Sequence, residues 1–201
     1  AALIAAFLAI ELRSPAPLLP LRIFRLRSVA AANAAAVMIG GIAFSQFFLQ
    51  TLYMQDVLGY SAIRTGVGFA TMAFTIIVVS NIAQRLVTRV GARPVLTAGL
   101  LLDSASLAFF TQLPVDGHYF WNLFPGMLIG GIGLGLSFVP MTIAGLTGVS
   151  RADAGVASGL INTSRQVGGA VGLAAVSTIV TSYAATGSPA AVSDGLTQGF
   201  H

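Results

Sequence analysis

The charged residues of this chain fall in short islands, and between the islands run weakly polar stretches of roughly 18 residues or more, each long enough as a helix to cross a bilayer. Five such stretches stand out, at 28–55, 66–83, 95–112, 121–146 and 167–184. In hydrocarbon every backbone N–H and C=O must be bonded within the protein, and segments of this length are far too long for barrel strands, so they are predicted as α-helices. Charged residues make up 8% of the chain and apolar ones 56%. A soluble domain carries roughly 25% charged residues, so there is too little charge here to cover a globular surface. The fold class that follows is all-α integral membrane: a polytopic helical bundle with five complete spans.

Ahead of the first span, AALIAAFLAI (1–10) is too short to cross alone and lacks a starting Met and the charged flank of a signal peptide. It is expected to be the end of a transmembrane helix truncated upstream. Residues 11–27, ELRSPAPLLPLRIFRLR, follow as a basic loop. Pro15, Pro17 and Pro20 forbid a regular helix across its first half, whereas Leu21, Ile23, Phe24 and Leu26 alternate with Arg22, Arg25 and Arg27 in the second. That suits either a segment lying in the headgroup layer or a plain basic connector. Residues 28–184 hold the five spans, and 185–201 form a polar tail containing Gly, Ser and Pro.

Orientation is read from arginine, since the chain contains no lysine. Arg13, Arg22, Arg25 and Arg27 precede the first span, Arg85, Arg89 and Arg93 join the second to the third, and Arg151 joins the fourth to the fifth. The alternate loops carry Asp56, Arg64, Asp116, His118 and Asp194. The bias in arginine is about eight to one, which assigns the arginine loops to the cytoplasm and the tail to the outside of a multi-pass protein of the cell membrane. Topology and anionic lipid headgroups account for the net charge of +4, so no nucleic-acid partner is expected. With no cysteine and two isolated histidines, disulfides, metal sites, cofactors and paired nucleophile–base chemistry are not expected either.

Several residues within the spans depart from plain hydrocarbon. In FPGMLIGGIGLGLSFVP, Gly126 with Gly130 and Gly131 with Gly135 recur at the four-residue spacing that lets helix backbones approach closely, and Pro125 and Pro140 stand toward the two ends. Gln46, Gln50 and Tyr53, at i, i+4 and i+7, place two amides and a phenol on one helical face, where they either bond another helix or line a solute path. Asp103, with Ser104 and Ser106 beside it, is the one carboxylate well inside an apolar run and is a candidate proton carrier. Near the C-terminus, Ser150 and Asp153 resemble a capping box, so a helix is expected to start near Arg151, well before the apolar run at Val167. Ser158, Asn162 and Gln166 then share a face with Arg165 adjacent, and Gly155 with Gly159 and Gly168 with Gly172 form further close-packing pairs. That polar face either abuts another helix or holds a snorkelling arginine in the headgroup layer.

Two stretches together carry a family resemblance. AQRLVTRVGARPVL (83–96) resembles the second, weaker copy of the loop motif of the Major Facilitator Superfamily, and DAGVASGLINTSRQVGGAVGLA (153–174) is similar to the matching stretch of its fourteen-span drug:proton antiporter branch. RSPAPLLPLRIFR and LYMQDVLGYSAIRTGVGF resemble that branch in the right order. The resemblance implies the C-terminal part of such a transporter, from the end of the eighth span to a point before the fourteenth. The partners would be a missing N-terminal half, the lipid bilayer, protons and a small amphipathic substrate. The first and fourth spans would line the cavity, making Gln46, Gln50 and Tyr53 pathway residues. The second and fifth would lie between the halves, with Ser158, Asn162, Arg165 and Gln166 on the inter-half face, and the third would be peripheral, which weakens the case for Asp103. The loop motif keeps Arg85, Arg89, Gly91 and Arg93 but has Gln84 and Thr88 where its first glycine and its acid belong, so an acid latch in this loop is in doubt.

The expected function is therefore part of a secondary active transporter for multidrug or small-molecule efflux, by alternating access and proton antiport, with no transport by the chain alone. The alternatives are a short membrane subunit that packs through its glycine faces without moving solute, and an intramembrane enzyme. An odd span count argues against the first, and the second lacks a paired acid, histidine or nucleophile in the spans.

Overall fold

A computed structural model describes residue 23 and residues 26–114 and 118–184. The segment 1–10, nearly all of the basic loop, Asp116 and the tail 185–201 lie outside the described residues. Five helices account for almost everything described. Helix α1 (Arg27–Leu52) runs on into a π-helical turn, Tyr53–Val57, closed by bonds from Leu58 N to the Tyr53 carbonyl and from Tyr60 N to the Met54 carbonyl. Helix α2 (Ala62–Val90) is N-capped by Ser61, whose hydroxyl accepts from Arg64 N at 3.3 Å.

Gly91 alone connects α2 to α3 (Ala92–Phe110). Its φ of 92° is strained for any side chain, and its N–H closes α2 on the Val87 carbonyl at 2.9 Å. Pro94 follows in the first turn of α3, where a missing N–H costs no helical bond. A second π-helical turn, Tyr119–Leu123, leads into α4 (Phe124–Leu146), which passes through Pro140. Ser150 and Asp153 bond each other reciprocally, Asp153 N to Ser150 Oγ at 3.2 Å and Ser150 Oγ to an Asp153 carboxylate oxygen at 2.9 Å, just before α5 (Ala154–Ala184).

Four stretches, Arg27–Val57, Ala62–Val90, Ala92–Phe110 and Tyr119–Leu146, are long and apolar enough to cross a membrane. The fifth predicted span lies in α5, whose 31 residues reach the edge of the described chain. The chain is a polytopic all-α membrane protein. Several hydroxyls in the spans are satisfied locally: Thr51, Thr75, Thr142 and Thr178 each donate to the carbonyl four residues back.

Helix α4 is central. Half of its most apolar window is buried inside the bundle, against 22% for α2, and it packs along α3, α2 and α1. Helix α5 lies on the far side of α1 and touches α4 only lightly. The core joins Ile39, Leu49, Met54, Met72, Phe110, Leu134 and Met141, whereas Ile63, Val67, Phe74 and Ile77 of α2 face outward as a lipid-facing helix requires. The two ends of the bundle are each tied across helices. At one end Ser28 Oγ donates to the Thr147 carbonyl at 2.8 Å, joining the start of α1 to the end of α4. At the other, the Tyr53 hydroxyl donates to the Pro114 carbonyl and the Tyr119 hydroxyl to the Gly68 carbonyl. Arg27, Arg85, Arg89, Arg93 and Arg151 belong to the first end, and Asp56, Arg64 and His118 to the second.

Candidate transport site and helix-packing faces

The polar face of α1 points into the bundle. Gln46, Gln50 and Tyr53 are all buried, at 0%, 0% and 1% exposure. The Gln46 side-chain N–H2 donates to Ser106 Oγ on α3 at 3.0 Å, and Ser106 donates in turn to the Gly126 carbonyl of α4 at 2.9 Å. This link passes across α4 through Gly130, where a Cβ would stand 2.7 Å from the Gln46 nitrogen and 2.8 Å from the serine oxygen. Glycine at 130 is therefore what lets an amide on α1 reach a hydroxyl on α3. Neither amide atom of Gln50, nor the Gln46 carbonyl oxygen, has a hydrogen-bond partner among the described residues.

Asp103 sits one turn from Ser106 in the same α3–α4 seam, fully buried. One carboxylate oxygen accepts from Ser137 Oγ at 3.0 Å, and the other lies against Gly133 with no partner among the described residues. Ser104 turns outward and donates to the Leu100 carbonyl. The seam thus gathers Gln46, Asp103, Ser106 and Ser137 around the glycine side of α4.

The other glycines of α4 serve different neighbours. Gly126 receives the rings of Phe109 and Phe110, Gly131 receives Thr75 of α2, and Gly135 receives Val79 of α2. Between α1 and α5 the contact is backbone on backbone: Gly168 meets the Val37 carbonyl, Gly40 meets the Arg165 carbonyl, and Gly172 meets Gly41 and Ser45. Gly155 and Gly159 behave otherwise, since a Cβ at either would meet nothing within 4 Å. Their expected close packing is not made among the described residues.

The same holds for the polar face of α5. Ser158, Asn162 and Gln166 are exposed. Arg165 donates to the Asn162 side-chain oxygen at 2.7 Å, and its guanidinium carbon lies 5.3 Å from the centre of the Phe138 ring. Arg85, Arg89, Gly91 and Arg93 are exposed in the α2–α3 connection, and Thr88, in the motif's acid position, donates to the Arg85 carbonyl at 2.7 Å. That hydroxyl closes its own helix end, with no latch to another helix.

Several contributors have no strong signal in sequence. Ser164 Oγ donates to the Asn33 side-chain oxygen at 2.7 Å, and Asn33 donates to the Val29 carbonyl, which adds a buried polar link between α1 and α5. Asn33 stands alone in an alanine run, about two turns before Gly40 and Gly41, which receive the α5 backbone. Gly133 and Ser137, which complete the Asp103 seam, are spaced four apart on α4 but fall outside the pairs singled out by sequence.

Comparison with known proteins adds the family. The Major Facilitator Superfamily profile matches residues 4–173. A cephamycin export protein of Amycolatopsis lactamdurans is 38% identical over 92% of this chain and 38% of its own length. A lincomycin resistance protein of Streptomyces lincolnensis is 34% identical over 85% of the chain and 35% of its own length. A puromycin resistance protein of Streptomyces alboniger is 33% identical over 98% of the chain and 41% of its own length. The chain spans between about a third and two-fifths of these relatives.

Proposed function

This chain belongs to the Major Facilitator Superfamily, and from that premise we propose that it forms the C-terminal part of a proton-coupled antiporter that expels amphipathic small molecules. The supporting observation is the two-faced character of α5. One face is closed onto α1 through Gly168 and Gly172, while the other presents Gly155, Gly159, Ser158, Asn162 and Gln166 with no other helix against them among the described residues. Small and polar residues on a membrane helix are the usual contact surface for another helix. A second, N-terminal half covering this face gives the two-body arrangement that alternating access requires, with the halves rocking about a site near the midplane.

Within that arrangement the α1 face divides its work. Gln46 and Tyr53 hold helices together, through Ser106 and the Pro114 carbonyl. Gln50 keeps an amide with no hydrogen bond among the described residues, so it is the residue of the three best placed to meet a polar group of a solute when the halves open. The chemical class of the substrate is taken from the relatives, whose names refer to cephamycin, lincomycin and puromycin.

The test uses inverted vesicles carrying the intact protein and an imposed pH gradient, acid inside, followed with a fluorescent pH probe. Antiport predicts that lincomycin, puromycin or a cephamycin collapses the gradient, and that Gln50→Leu changes the order of preference among them at unchanged protein level. No substrate-dependent proton movement with any of these compounds, together with no resistance in cells, would sink the proposal.

A further inference from the structure

At the arginine-bearing end, α1, α3 and the last turns of α4 part around a cavity of about 450 Å³ lined by Arg27, Ser28, Arg93, Leu96, Met141 and Ala144, among others. That volume is within the usual range of about 300–1,000 Å³ for small-ligand sites. Its chemistry is split. Leu96, Met141 and Ala144 offer hydrocarbon, and the Ser28 hydroxyl is already engaged by the Thr147 carbonyl. The polar groups left to a ligand are the two guanidinium groups, whose forked N–H donors match the oxygens of a phosphate.

Neither arginine is held by a carboxylate among the described residues, and the first turns of α1 and α3, from which they project, contain no acid. In water such a slot would simply hydrate. In a bilayer this end lies among lipid headgroups, where an amphiphile with a negative head and hydrocarbon chains matches both halves of the lining, and basic pockets between membrane helices take such heads. We infer that the cavity binds an anionic phospholipid, its phosphate bridging Arg27 and Arg93 and the upper part of an acyl chain against Leu96, Met141 and Ala144. The lipid would then brace the ends of three helices, of which the Ser28 bond ties only α1 and α4 at this level.

The experiment is native mass spectrometry of the intact protein taken from micelles containing equal phosphatidylglycerol and phosphatidylcholine. The wild type should retain phosphatidylglycerol selectively. R27Q/R93Q should lose more than tenfold of that retention, each arginine near an anionic head being worth about fivefold. R27K/R93K should keep most of it, which separates loss of charge from loss of fold, and Ala144→Trp should expel the lipid with both arginines in place. Arg64→Gln, at the opposite end, should change nothing. Equal retention of the two lipids, or undiminished phosphatidylglycerol on R27Q/R93Q, overturns the inference. So does full displacement by soluble glycerol phosphate, which would mean a free-anion site, or lipid binding that arises only after residues 11–22 are deleted, which would mean that the chain's own loop fills the slot.

Discussion

Ser106 is a single hydroxyl that serves two helices at once, accepting from Gln46 on α1 and donating to the Gly126 carbonyl of α4. Its loss should cost more than the loss of its partner. Ser106→Ala leaves the Gln46 amide buried with neither of its polar atoms bonded, a penalty of about 1–3 kcal/mol, above the membrane average of about 0.6 kcal/mol for such bonds. Gln46→Leu removes the amide altogether and should be nearly neutral. Thermal melts in detergent should therefore show a lower Tm for Ser106→Ala than for Gln46→Leu, and the double variant close to the latter; the reverse order would mean that the link has little structural weight. Asp103 is argued in the same way. Asparagine keeps the acceptor for Ser137 and the shape that fits against Gly133, so Asp103→Asn should leave proton-driven transport intact, and its total loss with normal folding would identify Asp103 as a proton carrier. The sequence placed Gln46, Gln50 and Tyr53 on one helical face by their spacing, but the direction of that face and the Gln46 partner were not legible. The partner is reached through a gap in a third helix, and a three-body contact leaves no mark in the local pattern.

At the scale of the helix the glycines sort into two kinds that sequence treats alike. Gly168 and Gly155 both belong to four-residue pairs on α5, yet a methyl group at 168 would press on the Val37 backbone carbonyl while one at 155 would meet nothing within 4 Å. Gly168→Ala should force α1 and α5 apart and destabilise by about 1–3 kcal/mol, seen as a drop in folded yield on size exclusion. Gly155→Ala and Gly159→Ala should fold normally and lose transport, because their clash would come with the other half. Normal transport in both would remove that face from the inter-half contact. The helices themselves were legible because hydropathy marks what lies in lipid: four of the five predicted spans fall within a helix and its adjoining π-helical turn, and 95–112 overruns the end of α3 at Phe110 by two residues. What hydropathy does not mark is where the helix ends. Helix α2 runs past the apolar stretch 66–83 to Val90, since Arg85 and Arg89 continue the hydrogen-bond ladder outside hydrocarbon, and only the positive φ of Gly91 stops it. Helix α5 likewise begins at Ala154, thirteen residues before its apolar run, behind the turn closed by Ser150 and Asp153.

Across the whole bundle, the charge bias and the packing divide the loops into the same two sets. The Ser28–Thr147 bond and the cavity shared by Arg27 and Arg93 gather the starts of α1 and α3 with the end of α4, while Tyr53 and Tyr119 tie together the opposite end, with Asp56, Arg64 and His118. A helix bundle fixes which loops are neighbours but not which neighbours face the cytoplasm; that comes from the arginines, whose transfer across the membrane is resisted during insertion. The chain contributes no cysteine, so single introduced thiols can report the side directly. A membrane-impermeant maleimide should label Gln55→Cys and His118→Cys in intact cells, and Thr88→Cys and Ala152→Cys only after permeabilisation, all four positions being exposed. The opposite pattern would invert the protein and move the phospholipid slot to the outer leaflet. A mixed pattern, with Thr88 and Ala152 on different sides, would mean that α3 and α4 do not both cross, and the antiporter arrangement would fall with them.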